Sequence, residues 1–377
     1  MKKRIRLTIV SILLMLGVIS ILIINNNTET KVFSENGVKY ALTLDGARIG
    51  SIPSKGAYKA TVTCTGATGK WLYDEWKLAV EKITGDSVTC SIDFTTLTKT
   101  YMSDYIIGLS GKTQGTGQVV NENGYRYEGK DPNNYVWFNN EYWRIIGVFD
   151  NTSHGQTGKN LVKLIRDEVL DGVSWDKDNT NNWAQSSLKK LLNESYYFAI
   201  DGTNSGNCYG YTTSLLANCD YTKRGIQFNY RDMVANVTWY IGGANNSAVA
   251  TSIFYGLERG TSVYTGYPTT TTGYIGLMYP SDYGYSVLAS SCSRTTNLSS
   301  YNTAACVGQS WMAGHNYEWT ITHLQSGYTE VFRINSTGGV GTRIVQDVAS
   351  RPVLYLKDTV YKIDGDGSLD NPYIIGM

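Results

Sequence analysis

The sequence predicts an α+β protein: an N-terminal membrane-spanning helix, a small β-sandwich-like module and a larger domain of mixed strands and helices. Three observations predict it. An uncharged apolar run at residues 7–24, LTIVSILLMLGVISILII, follows a basic start, MKKRIR. Beyond it, short stretches alternate apolar and polar residues between turn signals, with few stretches of helical spacing. The 6 cysteines fall as local couples along the chain.

At about 1.5 Å of rise per residue, the apolar run nearly crosses a bilayer core. Lys2, Lys3, Arg4 and Arg6 precede it with no acid among them, which keeps residues 1–6 in the cytoplasm. No A-x-A-like site follows Ile24, and no cysteine is placed for lipid attachment. An uncleaved anchor is therefore expected rather than a cleaved signal. With either, the chain from about Asn25 lies outside the cytoplasm. The expected localisation is the cell membrane, single-pass, with the bulk extracellular. Residues 25–36 read as a short polar stalk.

The net charge of +1 hides an asymmetry, because without the four leading cations 29 basic residues face 32 acidic ones. No basic stripe appears, so nucleic acid is not an expected partner. Hydrophobic content of 42% supports a core. Tyr is abundant, at 29 residues. Tyr suits recognition surfaces, and equally the half-exposed strands of a β-rich fold.

An even cysteine count in an exported chain reads as disulfides. The simplest pairing is Cys64 with Cys90, Cys208 with Cys219, and Cys292 with Cys306. No C-x-x-C occurs, so neither a redox motif nor a zinc ribbon is indicated.

Residues 37–100 read as the small β-module, with strands in KYALTLDG, AYKATVTCTG and SVTCSIDF and partial alternation around Trp71 and Trp76. One bridge staples a core of this size by a few kcal/mol. Residues 101–124 read as a flexible, Gly-rich linker. Its GKT is no P-loop, since Ile106 stands where the leading Gly is required.

Residues 125–377 read as one domain with a terminal hairpin. YVWF-NN-EYWRIIGVF is a hairpin turning at Asn139–Asn140, with Trp137, Trp143, Ile145 and Val148 seeding the core. LVKLIRDE is a third strand. WAQSSLKKLLNESYY is a helix with Leu188, Leu191 and Leu192 on one face and Asn182 as its cap. FNYRDMVANVTWYIGG is a second helix, with Met233, Val234, Val237 and Ile241 inward and Gly242 as a stop. TGYIGLMYPSDYGYS is a strand, a break and a helical turn. YEWTIT, EVFRIN and RPVLYLK close the domain.

This order, from EYWRIIGVF and LVKLIR through IGLMYPSDY and YEWTIT to VFRINSTGGVG and SRPVLYLK, resembles a group of uncharacterised bacterial exported domains. Those domains look related to the formylglycine-generating-enzyme and C-type-lectin-like folds, and the resemblance covers roughly residues 125–360. It implies a lectin-like domain whose ligand face lies in loops near the closing strands. By that analogy His323, Gln325, Tyr328, Arg343 and Gln346 are the candidate ligand-binding residues. The loops SWDKDNTNNW, GHNYEW, THLQSGYTE and TRIVQDVAS supply adaptable polar groups and Tyr anchors.

Other chemistry finds little footing. The calcium-binding tripeptides of sugar-binding C-type lectins are absent, and Glu318–Trp319 reads as an exposed acid beside a core Trp. Formylglycine-type catalysis would need a free cysteine. His154 reads as solvated; His315 and His323 flank the Trp319 strand and could face one rim. H-E-x-x-H and G-x-S-x-G are absent. Asp364, Asp366 and Asp370 resemble half of a calcium loop, though Ile375 stands at the twelfth position and a Gly-Asp-Gly turn explains the same letters. No cofactor and no catalytic residue is expected.

The expected function is binding or adhesion, to a glycan or protein ligand, by a membrane-anchored extracellular protein. The alternatives are an enzyme of formylglycine-generating type and a structural surface or pilus-like subunit. The prepilin signature G-F-x-x-x-E is absent.

Overall fold

A computed structural model of the chain describes residues 33–35, 38–73, 75–84, 87–210, 218–314, 317–345 and 347–377. The expected anchor at 7–24 lies outside the described residues, as do His315 and Gln346. Among the described residues no helix is long and apolar enough to cross a membrane. The architecture is α+β and mostly sheet. The chain divides into two units, with the boundary between Lys99 and Thr100.

In the first unit, Val38–Leu44 and Val88–Thr96 run parallel, and Tyr58–Thr65 pairs antiparallel with the latter. Phe33–Glu35 extends the sheet at its edge, so these three residues of the expected stalk form a strand. The hairpin of Thr68–Leu72 with Lys77–Glu81 adds Trp71, Leu78 and Val80 to a core with Leu42, Ile92 and Phe94. The Trp71 ring meets Phe94 edge-on at 5.0 Å. Cys64 and Cys90 lie opposite each other across the ladder and are disulfide-bonded. A core this small gains from such a staple.

The second unit begins where a linker was expected. Residues 101–124 contain the helix Met102–Ile107 and the strand Gly117–Asn121, and they bury Met102, Ile106 and Val119 in the main core. The Gly-rich letters punctuate turns between these short elements; Gly111 and Gly115 both adopt positive φ.

The main sheet is built on the opening hairpin. Tyr135–Phe138 pairs with Glu141–Phe149 around Asn139 and Asn140, both at φ 59°. Two left-handed residues make the twist of the turn match that of the strands, and Asn tolerates that conformation best after Gly. The period-2 alternation sends Val136 and Phe138 into the core and leaves Trp137 half-buried, so Phe138 takes the place expected for Trp137. A bulge between Ile145 and Gly147 changes the register against Leu161–Arg166. Gly147 passes so close to Tyr125 that a Cβ would lie 2.3 Å from its carbonyl oxygen. Val353–Tyr355 and Ile275–Gly276 continue the sheet on one side; Tyr373–Gly376 and Tyr361–Asp364 continue it on the other.

A five-stranded sheet follows the order Leu170–Ser174, Asp347–Ser350, Glu318–His323, Glu330–Ile334, Val340–Ile344. Two buried indoles brace it: Trp175 Nε1 donates to Thr320 O at 3.0 Å, and Trp319 Nε1 to Val173 O at 3.1 Å. Glu318 is not exposed. It is buried in an ion pair with Arg351, Nε to Oε2 2.8 Å.

The helical expectations are met in part. Leu188, Leu191 and Leu192 are buried on the helical stretch Ser187–Tyr196. Its cap is Ser186, whose Oγ accepts from Lys189 N, whereas the Asn182 side chain makes no capping bond. FNYRDMVANVTWYIGG is not one helix. It is a turn of helix, Phe228–Arg231, followed by the strand Val237–Tyr240, which pairs with Thr270–Gly273. The β-branched and aromatic run Val-Thr-Trp-Tyr fits a pleated surface better than a helix.

Candidate functional site

The loop between Glu318–His323 and Glu330–Ile334 carries Gln325 and Tyr328, and one buried side chain holds it. Asn181 Nδ2 donates to the carbonyls of Leu324 (3.1 Å), Gly327 (3.0 Å) and Glu330 (2.7 Å). The Asn181 N–H reaches Tyr328 O at 2.8 Å. Gln325 N donates to Ala244 O at 2.9 Å, and Val345 N to Thr329 O at 3.1 Å. SWDKDNTNNW and THLQSGYTE are therefore joined backbone to side chain. The former is itself ordered by Asp176, whose carboxylate accepts from Thr180 and Ser187.

Fixing the loop presents Tyr328, 55% exposed, to solvent. Its ring lies 5.9 Å from Tyr264, and Tyr264 lies 5.3 Å from Tyr267, in tilted contacts. Tyr267 rests 6.0 Å from the His323 ring. Three tyrosines thus form one aromatic surface over a fixed loop. Tyr264 and Tyr267 were missed in the sequence; the turn-rich stretch YTGYP, with two tyrosines three apart, is the signal they leave.

His323 is beneath this surface, not on its rim. It is buried, and its Nε2 accepts a long bond of 3.4 Å from Tyr264 N. Burial pushes its imidazole down to about 4, so it is neutral at physiological pH. Gly243 packs against it so closely that a Cβ would lie 2.7 Å from Nε2. Arg343 is exposed at the same end of the sheet, opposite Val331 in register.

The remaining candidates lie elsewhere. Asp366 Oδ1 accepts from Ser368 N–H (2.9 Å) and O–H (2.7 Å), holding the turn in which Gly365 and Gly367 have positive φ. Gly367 O accepts from Tyr135 N, which places this turn beside the opening hairpin. Among the described residues no three His, Cys, Asp or Glu side chains converge as a metal site. His154 is buried, not solvated. Its Nε2 meets Phe149 O at 3.0 Å and its Nδ1 accepts from Gln156 N, which fits a neutral ring.

Cys64–Cys90, Cys208–Cys219 and Cys292–Cys306 are disulfides, and no cysteine is free.

Compared with protein-family models, with curated proteins and with solved structures, the chain matches none.

Proposed function

We propose that this chain is a membrane-anchored extracellular recognition protein whose second unit, of lectin-like type, binds a glycan across Tyr264, Tyr267 and Tyr328. In this reading the first unit is a small β-sandwich-like spacer. The observation that carries the proposal is the exposed Tyr328 ring, which sits on a loop held by Asn181 and is continuous with Tyr264 and Tyr267 from another loop. Aromatic faces accept the C–H faces of pyranose rings with little conformational entropy to lose, while the neighbouring amides are suited to hydroxyl groups. The three disulfides fit an extracellular protein.

The test is a glycan array probed with residues 33–377, followed by titration of the best binder against Tyr328→Ala and Tyr264→Ala. Each substitution is expected to weaken binding about tenfold or more, as loss of an aromatic anchor does. An array without a binder, or folded variants that bind like the parent, would overturn the reading.

A further inference from the structure

A cleft of about 610 Å³ opens in the second unit where the ends of several elements meet. Its wall includes Phe149, Asn151, Thr152, Tyr240, Tyr255 and Arg259, and none of the residues of the tyrosine surface. The volume falls within the range of small-ligand sites.

One guanidinium group, Arg259, lines the cleft, and a second, Arg126, packs on the Phe149 and Tyr255 rings without lining it. Arg259 lies 3.6 Å over the Tyr255 ring with a side chain only 9% exposed. Its Nη1 donates to Glu258 (3.0 Å) and its Nε to Ser153 Oγ (3.3 Å), but its Nη2 has no hydrogen-bond partner. Arg126 lies 4.5 Å from the Phe149 centroid and 5.6 Å from that of Tyr255. Its side chain is 1% exposed; Nη1 donates to Asp282 at 3.0 Å, and Nη2 is again unpartnered. Buried donors are nearly always satisfied, so the orphaned Nη2 of Arg259, a residue of the cleft wall, calls for an acceptor.

The charge balance points the same way. Three buried cations, Arg126, Lys163 and Arg259, share two buried carboxylates, Asp282 and Glu258. Asp150, the acid on the cleft wall, already accepts from the Thr152 N–H and O–H. A planar carboxylate suits guanidinium nitrogens. The Tyr240 and Tyr255 rings and the polar side chains of Asn151 and Thr152 suit a hydroxylated ring. We infer that this cleft is a second binding site, taking a carboxylate-bearing sugar.

Isothermal titration of residues 33–377 with D-glucuronate and with D-glucose tests this. Glucuronate is expected to bind at least about tenfold more tightly than glucose, the difference of one charge-assisted contact. Arg259→Gln should abolish that preference. Asn151→Ala, which leaves the buried ion pairs intact, should weaken glucuronate several-fold even if the arginine variant folds poorly. Tyr328→Ala should leave glucuronate binding unchanged, which separates this site from the tyrosine surface. Equal binding of the two sugars, no binding of either, or an Asn151→Ala protein that binds glucuronate like the parent would overturn the inference.

Discussion

Lys163 and Asp282 form an ion pair of 2.5 Å with neither side chain exposed to solvent. Lys163 comes from the central strand Leu161–Arg166, and Asp282 from the first turn of the helix Pro280–Ser286. The pair ties that helix to the main sheet. Asp282 also accepts from Arg126 Nη1 and from Tyr279 N, both at 3.0 Å. Burial works to raise its carboxyl, but Lys163, Arg126 and these hydrogen bonds outweigh it and bring it down to about 2. Burial brings the Lys163 ammonium down to about 8 against the opposing pull of Asp282.

Removing the acid should therefore be worse than removing the lysine. Asp282→Asn strands two buried cations and is expected to destabilise by about 3–5 kcal/mol. Lys163→Met leaves Asp282 with Arg126 and the Tyr279 N–H, and should be milder. Urea midpoints of the two variants at pH 7 decide the order; a larger loss for Lys163→Met would contradict it.

Glu258 should make stability fall as pH rises toward neutrality. Burial raises its carboxyl to about 7, against Arg259 and the Ser281 hydrogen bonds. The native state then keeps a proton that the unfolded chain releases above about 4.5, so folding weakens between pH 4.5 and 7. The full effect is on the order of 3 kcal/mol. Glu258→Gln should flatten this part of the curve. The difference between variant and parent, followed by urea unfolding from pH 4.5 to 7.5, isolates the term; a difference constant with pH would refute it.

His323 should not titrate near neutrality. Its folded pKa is depressed, so the stability it contributes is present above the unfolded value and is lost as pH falls from about 6.5 toward 4. Its Cε1–H resonance is expected to hold still between pH 7 and 8 and to move only in acid. A midpoint near 6.5 would mean an exposed ring and would restore it as a rim residue.

The Asn139–Asn140 turn yields an asymmetric prediction. Asn139 Nδ2 donates to Gly225 O (3.0 Å) and its Oδ1 accepts from Gln227 N (2.7 Å), both partners far along the chain. Asn139→Gly keeps the backbone conformation but loses both bonds, which should cost about 1–3 kcal/mol. Asn140 is exposed and accepts one bond, from Tyr230 OH at 3.2 Å. Asn140→Gly should stay within about 1 kcal/mol of the parent, because Gly relaxes the positive φ. Thermal melts compare them, and a larger loss at Asn140 would be the failing result.

Local signals in the sequence determined much of this protein. Two asparagines between apolar runs specify the opening hairpin, because few residues accept two successive left-handed conformations. Cysteines separated by short loops define the staples. Alternation in YEWTIT and EVFRIN marks strands, and the polar letters between them mark the loop that holds Gln325 and Tyr328. Where local signals are balanced, neighbours decided. The run Phe228–Gly243 has helical spacing, yet Val237–Tyr240 gains a partner strand in Thr270–Gly273. Trp137 and Phe138 are equally apolar, and the pleat chose Phe138. Residues 101–124 look like a linker until their buried Met102, Ile106 and Val119 find the core. The buried charges were hidden for the same reason. Lys163, Arg126, Glu258 and Asp282 are separated by up to 156 residues, and a charge reads as solvated until tertiary structure supplies the partner that makes its burial tolerable. Tyr264 and Tyr267 join Tyr328, and Arg259 meets Tyr255, Phe149 and Asn151 on one cleft wall, only because the folded chain closes distances that no local pattern records.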